Sequence, residues 1–328
     1  MSEATPPMAF DDDRPKEECG VFGVVAPGRE VSRLSFYALH ALQHRGQESA
    51  GIAVSDEGHV TVQRDLGLVS AVFDESSLRS LTGGAAIGHV RYSTTGANKW
   101  DNAQPVTHTR GGGMVALGHN GNLTNTGALR SEMERQGVDL RASTDSEIIA
   151  AMLAAEEGSL LAAACSVMPH LVGAYSVVAM SGRELVAFRD PHGVRPLVIG
   201  RVDDDGWCVA SETCALDQIG AAFVRDVKPG EAVRLTAEGV QSRQAMPSLG
   251  GKLCVFEHIY FARPDSQMDG ETVWQSRQAM GRELAREAPA AADLVVGLPD
   301  SGTPAAIGFA QESGIPYAEA VVRNRYVG

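Results

Sequence analysis

Short apolar runs separated by turn sequences fill the first 245 residues, and this alternation restricts the fold more than any other feature. Runs of about four to eight residues between clusters of Gly, Pro, Asp and Ser are typical of strands. The pattern predicts strands at 21–26, 51–54, 60–64, 85–92, 114–118, 175–180, 185–189, 197–201 and 207–211, with two more between 227 and 244. Helical spacing occurs at 32–43 and after Thr144. We expect an α+β architecture in which two packed antiparallel sheets lie between two or three helices.

The pattern changes after a bridge rich in Pro, Ser and Gly at 247–251. A helix is predicted at 271–288, an apolar strand at 293–298, a second helix at 304–312 and a strand at 317–322. Strand, helix and strand in this order form the βαβ unit of a parallel α/β domain. Because one such unit buries too little apolar surface to be stable alone, we expect this second domain to continue beyond the sequence.

Cys19 stands directly before the first predicted strand and after 18 residues that show no apolar periodicity. This arrangement predicts a removable leader, residues 1–18, and a mature chain that begins with cysteine. A free α-amino group titrates near pH ~8 and can take the thiol proton, as it does in N-terminal threonine nucleophiles. The alternative is a small buried apolar residue at the start of a strand, which is the usual role of an unpaired cysteine.

Two further strand ends carry polar residues suited to binding. Arg91 closes the strand at 85–92, and its planar fork matches a carboxylate; the alternative is a surface arginine at the entrance to a loop. Asn120 and Gly121 follow the strand at 114–118. An amide beside a glycine N–H offers two donors for an oxyanion, but Asn-Gly is equally typical of a tight turn.

The starts of two predicted helices are also candidates. Thr144 and Glu147 fit a capping box, which explains Asp145 as a first-turn acid, although a carboxylate at an exposed helix start also suits a substrate ammonium. Asp300-Ser301-Gly302-Thr303 precedes the last helix. It can hold an anion or a metal-bound oxygen, or serve as a plain N-cap. For His44 and Arg45, at the end of the first helix, interaction with the helix dipole is one of two open interpretations; a functional role for this polar segment is the other.

Composition excludes several classes of protein. The 328 residues contain 28 Lys and Arg against 41 Asp and Glu, a net charge of −13, which argues against a nucleic-acid surface. No apolar run approaches the ~20 residues of a membrane span, and the leader lacks the features of a secretion signal. Five scattered cysteines without a CxxC pair indicate a reducing, cytoplasmic setting.

Taken together, seven blocks resemble the amidophosphoribosyltransferase family, the glutamine-dependent enzymes that open purine biosynthesis. No single block is specific, but all occur in the family's order and reach from residue 19 to the last residue. The blocks are Cys19-Gly-Val-Phe-Gly, Leu42-Gln-His-Arg-Gly-Gln-Glu-Ser, Gly88-His-Val-Arg-Tyr-Ser-Thr, Gly118-His-Asn-Gly-Asn-Leu-Thr-Asn, Ser143-Thr-Asp-Ser-Glu, Phe261-Ala-Arg-Pro-Asp-Ser and Asn324-Arg-Tyr-Val-Gly.

The resemblance implies a fold and a domain division. Residues 19–250 would form the N-terminal-nucleophile αββα glutaminase sandwich of class II glutamine amidotransferases. Residues 251–328 would begin a phosphoribosyltransferase-type parallel α/β domain that this sequence leaves incomplete. The resemblance also implies a homo-oligomer, a dimer or tetramer.

The resemblance implies a glutaminase site as well. Cys19 would attack the side-chain amide of glutamine, with its own amine as the proton carrier. Asn120 and Gly121 would form the oxyanion hole. The site would hold the glutamine α-carboxylate through Arg91, with Thr94 nearby, and the α-ammonium through Asp145.

In the second domain, the resemblance implies ammonia transfer to phosphoribosyl pyrophosphate, which gives 5-phosphoribosylamine and pyrophosphate. Ser301 would contribute to a Mg²⁺–pyrophosphate site. The family's acidic ribose-phosphate loop is absent, so we expect this chain alone to be limited to glutamine hydrolysis. Cys254 matches the first ligand of the 4Fe–4S cluster found in some members, whose other three ligands would lie beyond Gly328; an ordinary buried thiol is the alternative.

Three other classes of protein are alternatives. An amidotransferase of the glucosamine-6-phosphate synthase type would share the glutaminase, but the block at 261–266 and the βαβ unit argue against it. A non-catalytic relative would have little reason to keep Cys19, Arg91, Asn120, Gly121 and Asp145 together. A cysteine hydrolase with a Cys–His dyad would need a strand–turn–helix nucleophile elbow, which does not occur.

Overall fold

The structure is a computed structural model that describes residues 18–92, 99–111, 113–182 and 184–323. Its strands are β1 (Gly20–Val25), β2 (Ser49–Asp56), β3 (His59–Leu66), β4 (Ala85–Arg91), β5 (Val106–Arg110), β6 (Gly113–Leu123), β7 (Gly173–Ser181), β8 (Glu184–Arg189), β9 (Val198–Val202), β10 (Gly206–Ala210), β11 (Ala222–Asp226), β12 (Glu231–Thr236), β13 (Gly239–Gln244), β14 (Gln267–Met268) and β15 (Glu271–Thr272). Its helices are α1 (Val31–Ala41), α2 (Val69–Val72), α3 (Glu75–Ser80), α4 (Thr126–Arg135), α5 (Asp145–Ala155), α6 (Leu160–Val167), α7 (Thr213–Gln218), α8 (Val273–Glu287) and α9 (Gly302–Ser313). Within these described ranges, no helix has the length and apolar character needed to cross a membrane.

Two antiparallel sheets form the body of the molecule. The first has the strand order β11-β9-β10-β1-β4-β2-β3 and the second β13-β12-β8-β7-β6-β5. In β1, Val21 packs between the two sheets, whereas Phe22 and Val24 pack toward α1. Because successive side chains point to opposite faces, burial of both faces explains why β1 is apolar throughout. A separate core lies between the second sheet and α5 and α6, so the layers run helix, sheet, sheet, helix, as predicted.

Most predicted strands are confirmed, and the differences have physical reasons. The strand predicted at 114–118 runs on to Leu123 as β6, because Asn120 and Gly121 pair with Ser176 and Tyr175 of β7. The turn interpretation of Asn120-Gly121 is therefore wrong. The sequence pattern also missed β11, whose apolar side chains Phe223 and Val224 are exposed. The described part of the sandwich carries seven helices rather than the two or three predicted. Several of them are too short to show a helical pattern in the sequence.

The region after the sandwich contains two packed helices, α8 and α9. A Cβ at Gly281 would lie 1.9 Å from the Ala305 carbonyl oxygen, and one at Gly308 would lie 2.0 Å from that of Gln278. The two helices therefore touch backbone to backbone, which only glycine permits at these positions. This contact fixes the start of α9, and with it the position of Ser301.

The strands predicted at 293–298 and 317–322 do not form among the described residues. Only a single parallel bridge joins Val295 to Tyr317. Parallel strands are stable when both faces are covered, whereas Leu298 is 71% and Val322 77% exposed. Of the predicted βαβ unit, the described residues therefore form the helix α9 and one parallel bridge, but not the two strands. The domain boundary at 250 stays a prediction; the last sandwich strand ends at Gln244.

Candidate active site

The ends of the central strands bring Cys19 and Arg91 together. The antiparallel register that pairs Gly20 of β1 with Val90 of β4 sets the preceding Cys19 beside Arg91. Both side chains line one small cavity of about 20 Å³, room for about one water molecule. Its lining is Cys19, Arg91, Tyr92, Gln104, His119, Gly121, Thr144, Asp145 and Ser146. Four residues predicted from separate parts of the sequence therefore line the same cavity: Cys19, Arg91, Gly121 and Asp145.

The Cys19 thiol is buried and neutral. Its side chain is 7% exposed, and Sγ donates a hydrogen bond to the Tyr92 carbonyl oxygen at 3.4 Å. Burial raises the pKa of this thiol to about 11, and the nearby carboxylate of Glu18 acts in the same direction. Since the thiolate is the nucleophile, Cys19 needs a base close by to react at neutral pH.

Asn120 and Gly121 lie in the middle of β6. Asn120 is fully buried, yet neither atom of its side-chain amide has a hydrogen-bond partner among the described residues. A buried amide without a partner costs free energy, which is typical of a group kept for a ligand. Gly121 has φ of +138°, and a Cβ there would lie 2.1 Å from the Ala174 carbonyl oxygen. Only glycine fits, and its N–H direction follows from this backbone shape.

Asp145 begins α5, but it is buried rather than exposed. One carboxylate oxygen accepts a hydrogen bond from the Leu123 N–H at 2.9 Å, and the other lies 3.5 Å from His119 Nδ1. Burial opposes ionisation, but His119 and the Leu123 N–H outweigh it and lower the pKa of Asp145. Asp145 is thus an anion at the edge of the cavity, suited to a cationic group.

The predicted capping box at Thr144 does not form. Thr144 is the N-cap of α5, but its side chain makes no cap hydrogen bond. Glu147 instead accepts hydrogen bonds from the backbone N–H groups of Arg141 and Ala142. The Glu147 carboxylate therefore binds the segment before the helix rather than the Thr144 N–H.

Arg91, the last residue of β4, is buried with 2% exposure. Its Nη1 lies 3.5 Å from an oxygen of Glu48. The guanidinium is therefore inside the cavity wall rather than at a loop entrance. Thr94, predicted to lie nearby, falls outside the described residues.

Tyr92, Gln104 and His119 also line the cavity, and none of them was predicted as a site residue. Gln104 accepts a hydrogen bond from the His119 N–H at 2.8 Å, and the His119 carbonyl oxygen accepts one from His89 Nε2 at 3.0 Å. Tyr92 contributes its carbonyl to the Cys19 thiol. These contacts join elements far apart in the sequence and use backbone atoms, so no local pattern signals them.

Arg45 lies in a buried ion cluster rather than at a solvated helix end. Its side chain has no exposed surface and pairs with Glu212 and Glu257, while its Nε donates to the Cys19 carbonyl oxygen at 3.0 Å. His44 Nε2 also contacts Glu212 at 2.8 Å. Burial opposes ionisation of Glu212, but the charges of His44 and Arg45 hold its pKa well below the usual range. The helix-dipole interpretation of these two residues is therefore incomplete.

Ser301 lines a second cavity, between the sandwich and the region after it. This cavity, of about 400 Å³, also carries Glu18, Arg45 and Asp300 on its wall. No group of three or more His, Cys, Asp or Glu that could hold a metal occurs among the described residues. A hydroxyl with one carboxylate fits Mg²⁺ all the same, because this ion usually takes one or two protein oxygens together with substrate phosphates.

The residues around Cys254 do not build an iron–sulfur site by themselves. A 4Fe–4S cluster takes four cysteine thiolates. Cys208 and Cys214 belong to the buried core under α1, and Cys165 lies in α6 beyond the second sheet. Among the described residues Cys254 thus fits such a cluster only as one ligand of four.

Sequence and structure comparisons match this chain to known proteins. The sequence profile of a glutamine amidotransferase domain matches residues 89–218. The amidophosphoribosyltransferase of Mycobacterium tuberculosis is 54% identical over 97% of this chain and 62% of its own length. That of Synechocystis sp. is 48% identical over 100% of this chain and 68% of its own length. A glutamine phosphoribosylpyrophosphate amidotransferase from B. subtilis, solved with ADP and GMP, superposes with a TM-score of 0.89 at 41% identity, covering 94% of this chain and 67% of that one.

The chain therefore spans about 62% of the length of the first of these relatives and about two thirds of the others. The matches cover both the sandwich and the region after it. On the identity of these relatives and the extent of the matches, the chain belongs to the amidophosphoribosyltransferase family.

Proposed function

We propose that this chain carries the glutamine-hydrolysing half of an amidophosphoribosyltransferase. One observation carries the proposal: Cys19, Arg91, Gly121 and Asp145 line a single cavity. A nucleophile, a carboxylate-binding cation, a backbone oxyanion donor and an ammonium-binding anion are the groups that glutamine hydrolysis requires. The family membership of the chain supports the same activity.

The family resemblance assigns a chemical role to each residue, and of the two oxyanion residues Gly121 lines the cavity whereas Asn120 does not. Once the leader is removed, the free amine of Cys19 takes the thiol proton and Sγ attacks the side-chain carbonyl of glutamine. The Asn120 amide and the Gly121 N–H stabilise the oxyanion. The C–N bond then breaks, the amine returns its proton to the leaving ammonia, and water hydrolyses the thioester to release glutamate.

The two ends of the substrate are held by opposite charges. Arg91 binds the α-carboxylate and Asp145 the α-ammonium, with Thr94 assigned beside the carboxylate. Since the cavity has room for about one water molecule in this structure, glutamine binding must widen it.

The second half of the reaction is assigned to the region after the sandwich. There ammonia attacks the anomeric carbon of phosphoribosyl pyrophosphate, and the C–O bond to pyrophosphate breaks. Ser301 and Asp300 would hold a Mg²⁺ ion, which supplies charge neutralisation of the pyrophosphate when bound. The cavity shared by Glu18 and Ser301 supports a short path for ammonia between the two sites.

Several other properties are proposals of the same kind. Five unpaired cysteines support a reducing, cytoplasmic location. A dimer or tetramer and a 4Fe–4S cluster that includes Cys254 rest on family resemblance alone.

The experiment that tests the function is covalent labelling with a diazo-ketone analogue of glutamine, read by intact mass and peptide mapping. We expect one label, on Cys19, in a chain that starts at this residue. Cys19→Ser should lose the label, and Cys165→Ser, a matched control, should keep it. A label on another cysteine, or a chain that starts at Cys19 and has no glutaminase activity, would overturn the proposal in favour of a non-catalytic relative.

A further inference from the structure

The peptide bond between Glu18 and Cys19 is inaccessible from outside. Glu18 is 8% and Cys19 7% exposed. Peptidases cut exposed, flexible chain, and neither side of this bond can enter an external active site without unfolding of the sandwich edge. Removal of the leader at this point therefore calls for a group within the molecule.

The Glu18 side chain is held by one arginine. Arg195 Nη2 donates to Glu18 Oε1 at 2.5 Å, and the two side chains are only 14% and 10% exposed. Burial raises the pKa of Glu18, and the charge of Arg195 is the largest effect against it. Without the arginine, the carboxylate would be buried and unpaired, and the last residue of the leader would have no reason to stay in place.

Arg195 is itself fixed by its own backbone. Its carbonyl oxygen accepts hydrogen bonds from Ser176 Oγ at 3.0 Å and from Arg189 Nε at 2.6 Å. Arg195 Nε and Nη1 have no hydrogen-bond partner among the described residues, and Nη1 lies 3.7 Å from Glu257. The guanidinium thus makes one strong contact, with a residue that leaves the protein when the leader is cut.

We propose that Arg195 is a positioning residue for leader removal and that it selects an acidic residue at position 18. By holding the Glu18 carboxylate, it fixes the Glu18 carbonyl next to the Cys19 side chain. This inference rests on the proposed function, because it takes Cys19 as the nucleophile of the mature chain. It adds a residue that the glutaminase chemistry does not use.

The cleavage itself balances without a further reactant except water. Cys19 Sγ attacks the Glu18 carbonyl carbon, the C–N bond between the two residues breaks, and the thiol proton ends on the new amine. Water then hydrolyses the thioester, so that the leader leaves with a free carboxylate at Glu18 and the thiol is restored. The same thiol, now with its own amine, becomes the glutaminase nucleophile.

The test follows leader loss by intact mass over time after cell-free synthesis of the whole chain. We expect Glu18→Gln and Arg195→Met to slow cleavage at least tenfold, and Glu18→Asp to slow it less. The charge exchange Glu18→Arg with Arg195→Glu should recover part of the rate. Arg286→Met, which changes an exposed arginine far along the chain, should cleave at the wild-type rate.

Glu18→Gln decides the result, because the mature protein lacks this residue, and circular dichroism of the uncleaved chain shows whether it has folded. Cleavage of Glu18→Gln at the wild-type rate would overturn the proposal, as would a slow Arg195→Met chain that the charge exchange does not improve. A chain made to start at Cys19 separates the two proposals. Its glutaminase activity tests the proposed function without a leader, whereas the cleavage rate tests Arg195.

Discussion

Arg45 and Glu257 form a two-point ion pair in which neither side chain has any exposed surface. Nη1 lies 2.9 Å from Oε2, and Nη2 lies 2.7 Å from Oε1. Arg45 follows α1 in the sandwich, while Glu257 belongs to the turn Glu257–Phe261 beyond it. Because Arg45 Nε also donates to the Cys19 carbonyl oxygen, one side chain links the backbone at Cys19 to the region after the sandwich.

Loss of Arg45 should destabilise the chain strongly. Arg45→Ala leaves the buried carboxylates of Glu212 and Glu257 without their main cation, and breaking such a pair costs about 3–5 kcal/mol. Urea unfolding followed by circular dichroism measures the change. The matched control is Arg79→Ala, whose exposed pair with Glu75 on α3 should be worth about 0.5 kcal/mol or less. A change below about 1 kcal/mol for Arg45→Ala, on the scale of an exposed pair, would show that the cluster tolerates an unpaired charge.

Asn120→Ala should lower glutaminase activity strongly but change stability little. Its amide has no partner in the described structure, so Asn120→Ala removes a desolvated polar group together with some packing, and the two effects oppose each other. We expect the free energy of unfolding to change by about 1 kcal/mol or less. Glutaminase kcat should fall about 10²- to 10³-fold, as when an oxyanion donor is lost. Equal losses of stability and activity would mean that Asn120 is a packing residue.

Gly121→Ala should lower both the stability of the chain and its glutaminase activity. The φ of +138° is strained for alanine, and its Cβ would lie 2.1 Å from the Ala174 carbonyl oxygen. Strain in the backbone alone costs of order 1–3 kcal/mol, and relief of the clash would turn the N–H away from the oxyanion. Gly127→Ala in α4 is the control, because a Cβ there meets open space and alanine favours a helix by about 1 kcal/mol. A stable and active Gly121→Ala chain would contradict the assigned oxyanion role.

Structural elements that depend on local sequence patterns could be predicted from the sequence, whereas those that depend on packing between distant elements could not. The sandwich strands were predictable because their apolar runs and turn residues are local, and β1 is a clear case. The parallel strands around α9 were predicted from the same kind of pattern, yet only the bridge Val295–Tyr317 forms. Apolar runs such as 293–298 specify a parallel sheet only if other elements cover their faces, which is not a local property.

Some features of the candidate site could likewise be predicted from the sequence, and others could not. Cys19, Arg91 and Asp145 stand at predicted element ends, so their residue types could be noticed in the sequence. The burial of Asp145 could not be predicted from the sequence. It arises because α5 packs against the end of β6, where the Leu123 N–H donates to the Asp145 carboxylate. Arg195 and Glu18 were missed for the same reason. They lie 177 residues apart in sequence, and nothing local pairs them.

His89 should give the chain a measurable sensitivity to acid. It is fully buried between the sheets, and burial lowers its pKa to about 3, well below the ordinary value of 6.5. Between these two values the unfolded chain binds a proton that the folded chain does not, so stability is fully present above pH ~6.5 and falls as the pH falls. The slope from one such group is about 1.4 kcal/mol per pH unit.

The measurement is the free energy of unfolding of wild type and His89→Gln at several pH values. Because other groups titrate equally in both chains, the difference between them isolates His89. We expect this difference to shift against the wild type by about 2 kcal/mol between pH 7 and pH 5, since 1.5 units lie below the ordinary pKa. His59→Gln, at the exposed start of β3, should run parallel to wild type. If His89→Gln does so too, then folding does not lower the pKa of His89, and the prediction is wrong.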